Sequence, residues 1–518
     1  MKMMKLLEGV DVTKITGETQ REIEGIAVHS KKVEKGFLFA AIRGMEFNGH
    51  QFIGDAIQRG AAAVLLEDDP GLSNGTRIWV PDSRRALARV SANFYGNPSS
   101  QIHLIGVTGT NGKTTTTYLL ESILEKAGYP VGVLGTINYR YGKKVIQAVN
   151  TTPESLDLQR ILGEMVRHGV SHVIMEVSSH GLDLDRVFGC QFDGAVFTNL
   201  TSDHLDYHKT LERYFESKRK LFSDHLTQSP KAGRFAVTNG DDPKGEAIVE
   251  GIPLPVIRYG LNPSCEVRAD QERLTLEGLS CRIRTPQGPL MVQSKLIGRY
   301  NLYNILAAVS AGIAMNLPLQ TIQAGVEAVE GVSGRFERVE NQRGIHIIVD
   351  YAHTHDALER VLAGLKKTLS NASSDSGSAR FPSGGGKIIT VFGCGGDRDR
   401  TKRPLMGEVA GRYSDLCLLT SDNPRTEDPG VIIHEVEEGL KKLALRRWGS
   451  KEMGSWRSEK GYLTLPDRRE AIRMAVRLAQ RGDAVLIAGK GHEDYQIIGK
   501  ERFPFDDRVE ARKALEEV

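Results

Sequence analysis

Cysteine is scarce in this sequence, and its five thiols are scattered along 518 residues. No two of them form a Cys-x-x-Cys pair, which argues against a disulfide framework and a zinc ribbon. Long apolar runs are missing as well, and Met1 to Leu7 is too short and too polar for a secretory signal. We therefore expect a cytoplasmic protein with reduced, mostly buried thiols at Cys190, Cys265, Cys281, Cys394 and Cys417.

An excess of either charge is also missing. The chain has 68 lysines and arginines against 65 aspartates and glutamates, for a formal net charge of +3. Such a balance gives no polybasic surface for nucleic acid or a membrane. We therefore expect small-molecule partners, no nucleic acid and no membrane, and a monomer.

What the sequence does contain is three blocks of alternating strand and helix patterns, and its length suggests about three domains. Apolar strand candidates lie at 37–42, 62–66, 78–80, 101–107, 173–175, 195–197, 235–237, 345–349, 388–392, 416–419 and 485–488. Strands that alternate with helices are typical of α/β domains with mainly parallel sheets. Ligands of such sheets bind at the carboxyl ends of the strands. Residues 370–386 are rich in serine and glycine, which predicts a mobile surface loop.

The segment from Ile105 to Thr115 predicts a phosphate-binding loop. A short apolar strand runs into Gly-Thr-Asn-Gly-Lys-Thr-Thr, which opens a helical pattern. Glycines let backbone N–H groups surround phosphate oxygens, Lys113 reaches the terminal phosphates, and the Thr114 hydroxyl can ligate Mg²⁺. Five residues separate Gly106 from Gly112, one more than in the common motif, so an ordinary glycine turn is the alternative.

Two further polar runs follow apolar strands of the second block. Glu176 comes directly after strand residues 172–175, where a nucleotide-bound Mg²⁺ needs a hard oxygen ligand; the alternative is a solvated surface glutamate. The next strand ends in the run from Thr198 to His208, which is denser in polar residues than folding alone requires. For Asp206 and His208 a helix-capping or surface role fits at least as well as a functional one.

These residues resemble one family closely. The loop at 108–115, Met-Glu-Val-Ser-Ser-His at 175–180 and Ser-Asp-His-Leu-Asp-Tyr-His at 202–208 are similar to motifs of the Mur ligases of bacterial peptidoglycan synthesis. Further matching segments lie at 217–222, 298–304, 334–337, 350–354, 392–399, 422–425 and 489–493. The resemblance spans all three blocks, and within the family it points to the members that add the third residue of the stem peptide.

The resemblance implies a three-domain α/β fold. A central P-loop ATPase-like parallel sheet over 100–335 is flanked by an N-terminal UDP-binding α/β domain over 1–99 and a C-terminal Rossmann-like α/β domain over 336–518. It also implies ATP-driven addition of meso-2,6-diaminopimelate to UDP-N-acetylmuramoyl-L-Ala-D-Glu (UDP-MurNAc-L-Ala-D-Glu). In that reaction the D-glutamyl carboxylate attacks the γ-phosphate, and the incoming amine then displaces phosphate from the acyl phosphate.

The same resemblance implies a set of catalytic and metal-binding residues. The catalytic residues are Lys113, Glu176, His204 and Lys218. Two Mg²⁺ ions are held by Thr114, Glu176, His204 and Lys218 as its carbamate, since carbamylation turns a cation into a carboxylate. From spacing alone, Lys218 is instead a solvent-facing lysine in the basic run 218–220.

The implied ATP-binding residues come from the central and third blocks. They are Gly109, Thr110, Asn111, Gly112, Lys113, Thr114, Thr115, Asn301, Asn304, Arg335, Asp350 and His353. Two of them have structural alternatives: Asn301 fits a helix cap, and Arg335 fits an interdomain salt bridge.

The implied acceptor site starts on the first block, with UDP near Ser30 and the loop 44–48. The acceptor-binding residues are Ser30, Asn150, Thr151, Thr152, Ser178, Arg186 and Lys218. Taken alone, Asn150 to Pro153 fits a turn and helix cap better than a ligand site. Two positions depart from the family pattern: Leu184 stands where a polar acceptor contact is expected, and His355 replaces a proline.

The implied diaminopimelate-binding residues are Arg398, Asp422, Asn423, Pro424, Arg425, Gly489 and Glu493. A guanidinium fork at Arg425 suits the distal carboxylate, and Glu493 suits the distal ammonium. The structural alternative for Arg425 is an ion pair with Glu427 or Asp428.

Three functions compete on this sequence. The first is the amide-forming ligase, with the L-lysine-adding ligase of the same family as its variant. The second is a phosphotransferase that releases the phosphorylated acceptor, and the third is a nucleotide-gated binding module without turnover. Paired metal motifs and the charged loops of the third block favour the ligase.

Overall fold

A computed structural model describes residues 1–44, 48–68, 71, 75–374 and 386–517. Within these ranges the chain forms three α/β domains, each built on its own sheet. The first sheet has five strands in the order β1-β5-β4-β3-β2, with β1 antiparallel to the rest. Its elements are α1 (Met3–Leu6), β1 (Lys14–Thr16), β2 (Gly25–Ala27), β3 (Phe37–Ala40), α2 (Ile53–Gln58), β4 (Ala63–Leu66), β5 (Thr76–Trp79) and α3 (Ser83–Phe94).

The central domain carries an eleven-stranded sheet. Its first elements are β6 (His103–Thr108), α4 (Lys113–Lys126), β7 (Val131–Leu134), β8 (Asn138–Tyr141), β9 (Lys144–Gln147), α5 (Ser155–Arg167), β10 (His172–Glu176), α6 (Ser179–Asp183), β11 (Gly194–Phe197), α7 (Leu205–His208) and α8 (Leu211–Lys220). Its remaining elements are β12 (Phe235–Asn239), β13 (Val256–Gly260), β14 (Val267–Leu274), β15 (Leu279–Thr285), β16 (Gly288–Ser294), α9 (Arg299–Ala314) and α10 (Leu319–Glu327).

The strand order of this sheet explains where its ligands can bind. The order is β16-β15-β14-β13-β12-β11-β6-β10-β7-β8-β9, with parallel pairing from β14 to β7. Antiparallel strands close both ends, so the predicted parallel sheet is confirmed at its centre and extended at its edges into a mixed sheet. Helices α4, α9 and α10 pack on one face around Leu306, and α5 packs on the other around Leu162.

The third sheet has seven strands in the order β17-β18-β23-β19-β20-β22-β21, parallel except for β17. A separate hairpin, β24–β25, follows it. The elements are β17 (Glu337–Val339), β18 (His346–Asp350), α11 (His355–Ser374), β19 (Ile388–Phe392), α12 (Lys402–Tyr413), β20 (Leu416–Leu419), α13 (Pro429–Lys441), β21 (Arg446–Arg447), β22 (Gly461–Thr464), α14 (Arg468–Leu478), β23 (Ala484–Ala488), β24 (Tyr495–Ile498), β25 (Glu501–Pro504) and α15 (Asp507–Glu516).

Several expectations can be compared directly with these elements. The strands predicted at 388–392 and 416–419 have those bounds, because short apolar runs between polar loops leave little freedom for the ends. The loop predicted from residue 370 is wrong for its first residues, since α11 continues to Ser374; residues 375–385 lie outside the described part. All five cysteines are free and buried, as predicted. Among the described helices, none is long and apolar enough to cross a membrane.

Candidate active site

The predicted phosphate loop lies between β6 and α4, at the carboxyl edge of the central sheet. Gly112 has φ +87° directly before α4, and a Cβ there would lie 2.2 Å from Asn304 Oδ1. Glycine is therefore required both for the left-handed backbone and for the close approach of α9. The Lys113 ammonium folds back over the loop and donates to the carbonyls of Gly109 (2.9 Å) and Thr110 (2.8 Å).

The polar run after β11 supports this loop from the neighbouring strand. The Thr110 amide donates to the Asn199 carbonyl (2.8 Å), and the Asn111 amide donates to Asn199 Oδ1 (3.0 Å). Asn199 therefore buttresses the phosphate loop. Later in the same run, His208 is buried, with Nε2 2.9 Å from Ser179 Oγ, so it is neither a cap nor a surface residue. Asp206 is exposed in the first turn of α7.

Glu176 ends β10 and is not a surface glutamate, since it is 1% exposed. Its register partner is Val107 on β6, which places its carboxylate beside the phosphate loop. Oε2 accepts hydrogen bonds from the hydroxyls of Thr114 (3.1 Å) and Thr136 (2.9 Å). The carboxylate and hydroxyls form a compact group of hard oxygen donors, the type that Mg²⁺ prefers.

Lys218 is 1% exposed, so the solvent-facing alternative is wrong. Its amine donates to the Gly109 carbonyl (2.8 Å), which Lys113 also contacts, and it lies 4.3 Å from the centre of the Tyr214 ring. Burial, together with the positive charge of Lys113, lowers the pKa of Lys218 well below its ordinary value. Helix α8 brings the amine here, and a π-helical turn at Leu221–Leu226 follows directly.

His204 approaches the same region from the run after β11. It has a left-handed backbone with φ 54°, and its ring stands edge-on to that of His180, 4.9 Å between centres. Nε2 lies 3.5 Å from Asp203 Oδ2. His204 and Asp203 both line the cavity described next.

A cavity of about 660 Å³ opens between the central and third sheets. Of the predicted site residues, those that line it are Thr110, Asn111, Gly112, Lys113, Thr114, Thr115, Thr151, Glu176, Ser178, His204, Asn304, Arg335, Asp350 and His353. Arg335, at the junction with the third domain, donates to Thr114 Oγ1 (3.2 Å). Among the described residues it forms no salt bridge, so the alternative of an interdomain salt bridge is wrong. The buried Asn301 side chain bonds back to the Ile297 carbonyl and supports Asn304 (2.9 Å).

Two predicted residues of the third domain join the cavity at the end of β18. Asp350 accepts the backbone amides of Phe336 (2.7 Å) and Ala352 (2.8 Å), and its burial raises the pKa of the carboxyl. Burial, and then the charge of Lys402, lower the pKa of His353. Lys402 also donates to the His353 carbonyl (2.9 Å), which adds a cation that the sequence reasoning missed.

The cavity lining also contains four residues that the sequence reasoning missed. Tyr303 donates to Asp241 (2.8 Å), and Arg360 and Lys367 of α11 line the same cavity. Two signals were available for these residues. Asp241 sits in a polar run directly after β12, like the runs already used, and Arg360 and Lys367 are seven residues apart, on one side of a helix.

Thr151 and Ser178, two of the predicted acceptor residues, line this cavity. Thr152 is fully buried: its hydroxyl donates to the Glu176 carbonyl (2.9 Å) and accepts the Ser178 amide (2.9 Å), so it fixes the end of β10. Arg186 donates to the Thr152 carbonyl (3.0 Å), and the Asn150 carbonyl accepts from the Tyr139 hydroxyl. Ser30 begins a short 3₁₀ turn on the first domain. Residues 45–47 of the predicted UDP loop lie outside the described part.

The predicted amino-acid site forms where two loops of the third sheet meet. Gly393 to Asp399 follow β19, and Thr420 to Asp428 follow β20. Arg425 has φ 51° and donates to the Gly396 carbonyl (2.7 Å), while the exposed Arg398 donates to the Asp397 carbonyl (2.9 Å). Burial, and then the charge of Arg398, lower the pKa of Arg425. The two guanidinium groups are therefore near each other.

A polar cluster lies behind these arginines. The fully buried Lys490 donates to Asn423 Oδ1 and to Glu493 (both 3.1 Å), and Asn423 donates to Glu493 (2.9 Å). Burial raises the pKa of Glu493. A Cβ at Gly489, which has φ +115°, would lie 2.6 Å from Asp422 Oδ2. Glycine thus lets the loop after β23 pack against the loop after β20.

The alternative partners of Arg425 are engaged elsewhere. Glu427 accepts hydrogen bonds from the two terminal nitrogens, Nη1 and Nη2, of Arg403. Asp428 caps α13 by accepting the Val431 amide (3.0 Å). Within the described ranges, no carboxylate lies within 4.0 Å of the Arg425 guanidinium. The proposed ion pair with Glu427 or Asp428 is therefore wrong.

Comparison with known proteins agrees with this geometry. Three family models match: the Mur ligase family, catalytic domain over residues 22–95, the Mur ligase middle domain over 107–312, and the Mur ligase, glutamate ligase domain over 334–491. A relative from Geobacter metallireducens, named UDP-N-acetylmuramoyl-L-alanyl-D-glutamate–2,6-diaminopimelate ligase, is 50% identical and covers 100% of this chain and 99% of its own. The relative of the same name from Geobacillus kaustophilus is 44% identical and covers 100% of both chains.

Solved structures give the same architecture. A structure titled UDP-N-acetylmuramoyl-L-alanyl-D-glutamate–2,6-diaminopimelate ligase is 32% identical with a TM-score of 0.68, covering 100% of this chain and 99% of its own. A MurF ligase from Thermotoga maritima in complex with ADP is 20% identical with a TM-score of 0.61, covering 96% of this chain and 97% of its own. The three-domain α/β fold predicted from the sequence is confirmed.

Proposed function

This chain belongs to the Mur ligase family, and from that premise we propose that it joins meso-2,6-diaminopimelate to UDP-MurNAc-L-Ala-D-Glu in an ATP-dependent reaction of peptidoglycan synthesis. One observation carries this proposal. The phosphate loop, with Lys113 and the buried Glu176, lines one wall of a cavity whose other wall comes from the third domain through Asp350 and His353, with Arg335 at the junction between the two domains. A site shared by two domains suits a reaction that brings three substrates together.

The residues of this site suit each step of amide formation. The D-glutamyl carboxylate attacks the γ-phosphate, ADP leaves, and an acyl phosphate forms. The free amine of diaminopimelate then attacks the acyl carbon, and phosphate leaves from the tetrahedral intermediate. The attacking carboxylate, the triphosphate and the leaving phosphate are all anionic, and Lys113 and Arg335 stabilise that charge from fixed positions.

Mg²⁺ fits the oxygen donors next to the phosphate loop. We infer that Thr114 and Glu176 hold one ion, with phosphate oxygens completing its shell, and that His204 and carbamylated Lys218 serve the second. Among the described residues, no three His, Cys, Asp or Glu side chains lie close enough together to hold a metal ion by themselves. Much of each Mg²⁺ coordination shell would therefore come from substrate. When bound, Mg²⁺ neutralises triphosphate charge and polarises the transferred phosphoryl group.

Carbamylation of Lys218 is supported by the surroundings of its amine. Only a neutral amine attacks carbon dioxide, and burial, together with the charge of Lys113, lowers the pKa of Lys218, which favours that neutral form. The carbamate carries a negative charge, so modification would replace a repulsive contact between two lysines with an attractive one.

The substrates would enter from three sides. UDP binds the first domain near Ser30, the muramoyl dipeptide crosses Asn150, Thr151, Thr152, Ser178 and Arg186, and diaminopimelate binds Arg398, Asp422, Asn423, Pro424, Arg425, Gly489 and Glu493. We place the domains at 1–99, 100–335 and 336–518. The proposed setting is the cytoplasm, with the chain acting as a monomer on small molecules.

The test is a product assay with ATP, acceptor and amine supplied separately and together. Phosphate release that needs both organic substrates supports ligation. ADP formation with the acceptor alone and without free phosphate would instead identify a phosphotransferase, and no ADP formation under any of these conditions would identify a binding module.

Amine selection is tested by measuring kcat/KM for diaminopimelate and L-lysine with the parent and with Arg425→Ala. We expect the parent to prefer diaminopimelate, and the variant to lose about 10²-fold or more of that preference, because two charge-assisted hydrogen bonds disappear. Arg412→Ala is the matched control, since that arginine pairs with Glu408 at the far end of α12. Equal use of lysine by the parent would favour the L-lysine-adding ligase.

A further inference from the structure

Arg403 is a fully buried arginine between the two loops of the amino-acid site. It stands in the first turn of α12, which follows the loop 393–399. Its guanidinium donates to the Gly395 carbonyl (3.1 Å) in that loop. On its other side it meets Glu427, which belongs to the loop after β20. Arg403 therefore joins the loop of Arg398 to the loop of Arg425.

Glu427 is bound on both of its oxygens. Arg403 donates to Oε2 (2.9 Å) and Oε1 (2.8 Å), and the Asp397 amide also donates to Oε1 (2.5 Å). Arg403 further donates to Glu435 (2.7 Å), which Arg400 also contacts. Two carboxylates and two arginines thus balance in charge, and the bidentate fork fixes where Glu427 points.

The position of Glu427 matters because Arg425 is only two residues away. A glutamate that close on the same loop is a natural partner for an arginine, and it would compete with any substrate carboxylate. In the structure the Arg425 guanidinium bonds instead to the neutral Gly396 carbonyl (2.7 Å). Over the described ranges its ion-pairing capacity is left for a ligand.

We propose that Arg403 is a positioning residue that reserves Arg425 for the second carboxylate of the amino-acid substrate, by holding Glu427 out of its reach. This inference rests on the proposed function, and it adds a residue that does not touch substrate. Its substrate class is an amino acid with a carboxylate at its far end. Loss of Arg403 would leave Glu427 without its cation, two residues from Arg425, whose guanidinium bonds only to a neutral carbonyl among the described residues.

The experiment compares Arg403→Met, Glu427→Gln and the double variant Arg403→Met/Glu427→Gln in the full-length enzyme. KM and kcat are measured for diaminopimelate and L-lysine, together with KM for ATP and for the acceptor. Arg403→Met should raise KM for diaminopimelate by about tenfold or more while KM for ATP stays near the parental value, because the competing anion acts only on the amino-acid site.

The double variant separates positioning from simple structural support. Removing the charge of Glu427 removes the competitor, so KM for diaminopimelate should return to within about threefold of the parent. Glu427→Gln alone should stay near parental. If the double variant is as impaired as Arg403→Met or more so, Arg403 acts only as a structural support and the proposal is overturned.

A second variant covers loss of folding in Arg403→Met. Arg403→Lys keeps a cation beside Glu427 but lacks the bidentate guanidinium, whereas Arg403→Gln removes the charge. We expect KM for diaminopimelate to rise less in Arg403→Lys than in folded Arg403→Gln. Equal rises in the lysine and glutamine variants would overturn the proposal. A parent that does not ligate diaminopimelate would overturn the proposed function and this inference together, whereas failed rescue in an active enzyme overturns this inference alone.

Discussion

The amine of Lys218 and the amine of Lys113 share one carbonyl acceptor, that of Gly109. Two ammonium groups so close repel each other, and the buried one is the easier to deprotonate. Spacing along the chain suggested the opposite for Lys218, because it stands in a run of three basic residues with Arg219 and Lys220. A helix with basic residues on its outer side can still point one of them inward.

Replacing Lys218 with alanine should reduce turnover by at least about 10²-fold while leaving the fold intact, because the lost group positions charge at the reacting phosphates. Phosphate release and circular dichroism measure the two effects. Short carboxylates should restore part of the activity by taking the place of the carbamate. Lys220→Ala is the matched control, since Lys220 is partly exposed and forms an ion pair with Asp183. Near-normal turnover of Lys218→Ala would contradict the assignment.

Glu427 gives a prediction for acid stability. Its bond to Arg403 lowers the pKa of Glu427 from 4.5 to about 2. The pair therefore stabilises the fold fully above pH 4.5, and this contribution is lost as the pH falls towards 2. After solvent screening of a partly exposed carboxylate, we expect Glu427→Gln to cost about 1 kcal/mol at neutral pH. Urea unfolding of both proteins from pH 7 to pH 3 measures the difference, and a gap that widens on acidification would contradict the prediction.

At the scale of elements, the start of α4 depends on a glycine. Gly112 and Gly128 stand at opposite ends of this helix, both with left-handed backbones, at φ +87° and +84°. A Cβ at Gly112 would meet Asn304 at 2.2 Å, whereas a Cβ at Gly128 would meet nothing within 4 Å. Alanine variants of these two glycines therefore distinguish the effect of backbone strain from the effect of a steric clash with Asn304.

Gly112→Ala should weaken ATP binding by about tenfold or more, because the loop must move away from α9 as well as bear about 1 kcal/mol of backbone strain. Gly128→Ala should bear the strain alone and bind ATP normally. Calorimetric titration with a non-hydrolysable ATP analogue measures both variants. Equal affinities would show that the approach of Asn304 does not constrain the loop.

The strands at the centre of each sheet could be predicted from the sequence, and so could part of the site. Short apolar runs such as Ile388–Phe392 are buried on both faces, so their bounds follow from composition. Glu176 was predicted because a strand end places it. Two features could not be predicted from local sequence patterns. One is the antiparallel pair β15 and β16, which extends a parallel sheet. The other is the role of Arg403, whose partners lie 24 and 32 residues further along the chain. Such contacts depend on tertiary packing, which spacing does not report.

At the scale of the whole molecule, Arg335 connects two domains. It follows Gly334 near the junction of the central and third domains, donates to Thr114 Oγ1 (3.2 Å), and packs 4.5 Å from the centre of the Tyr351 ring. A nucleotide in the cavity would contact both of its walls. Binding should therefore stabilise the two domains together.

ADP with Mg²⁺ at about 100 times its Kd should add about 2.7 kcal/mol of stability to the parent and raise its melting temperature. Arg335→Ala should show a smaller rise at the same ligand concentration, because one contact across the cavity is lost. Arg338→Ala is the control, since it bonds to the Leu276 carbonyl away from the cavity. The same rise in both variants would show that Arg335 does not join the domains through the nucleotide. Differential scanning calorimetry is the measurement.

The antiparallel strands at the ends of the central sheet also affect how separate copies of the chain meet. An open edge of a parallel sheet is a template on which another chain can add a strand. Here the outermost strands are β9 and β16. β9 has four residues and exposes Lys144, and β16 exposes Gln293 and Pro289, which has no amide hydrogen to donate to an added strand. Val145 and Met291 are also exposed on these strands, so it is the charge of Lys144 and the proline that oppose pairing with a passing chain. The long row of parallel strands that carries the active site is shielded from aggregation by the strands that end it.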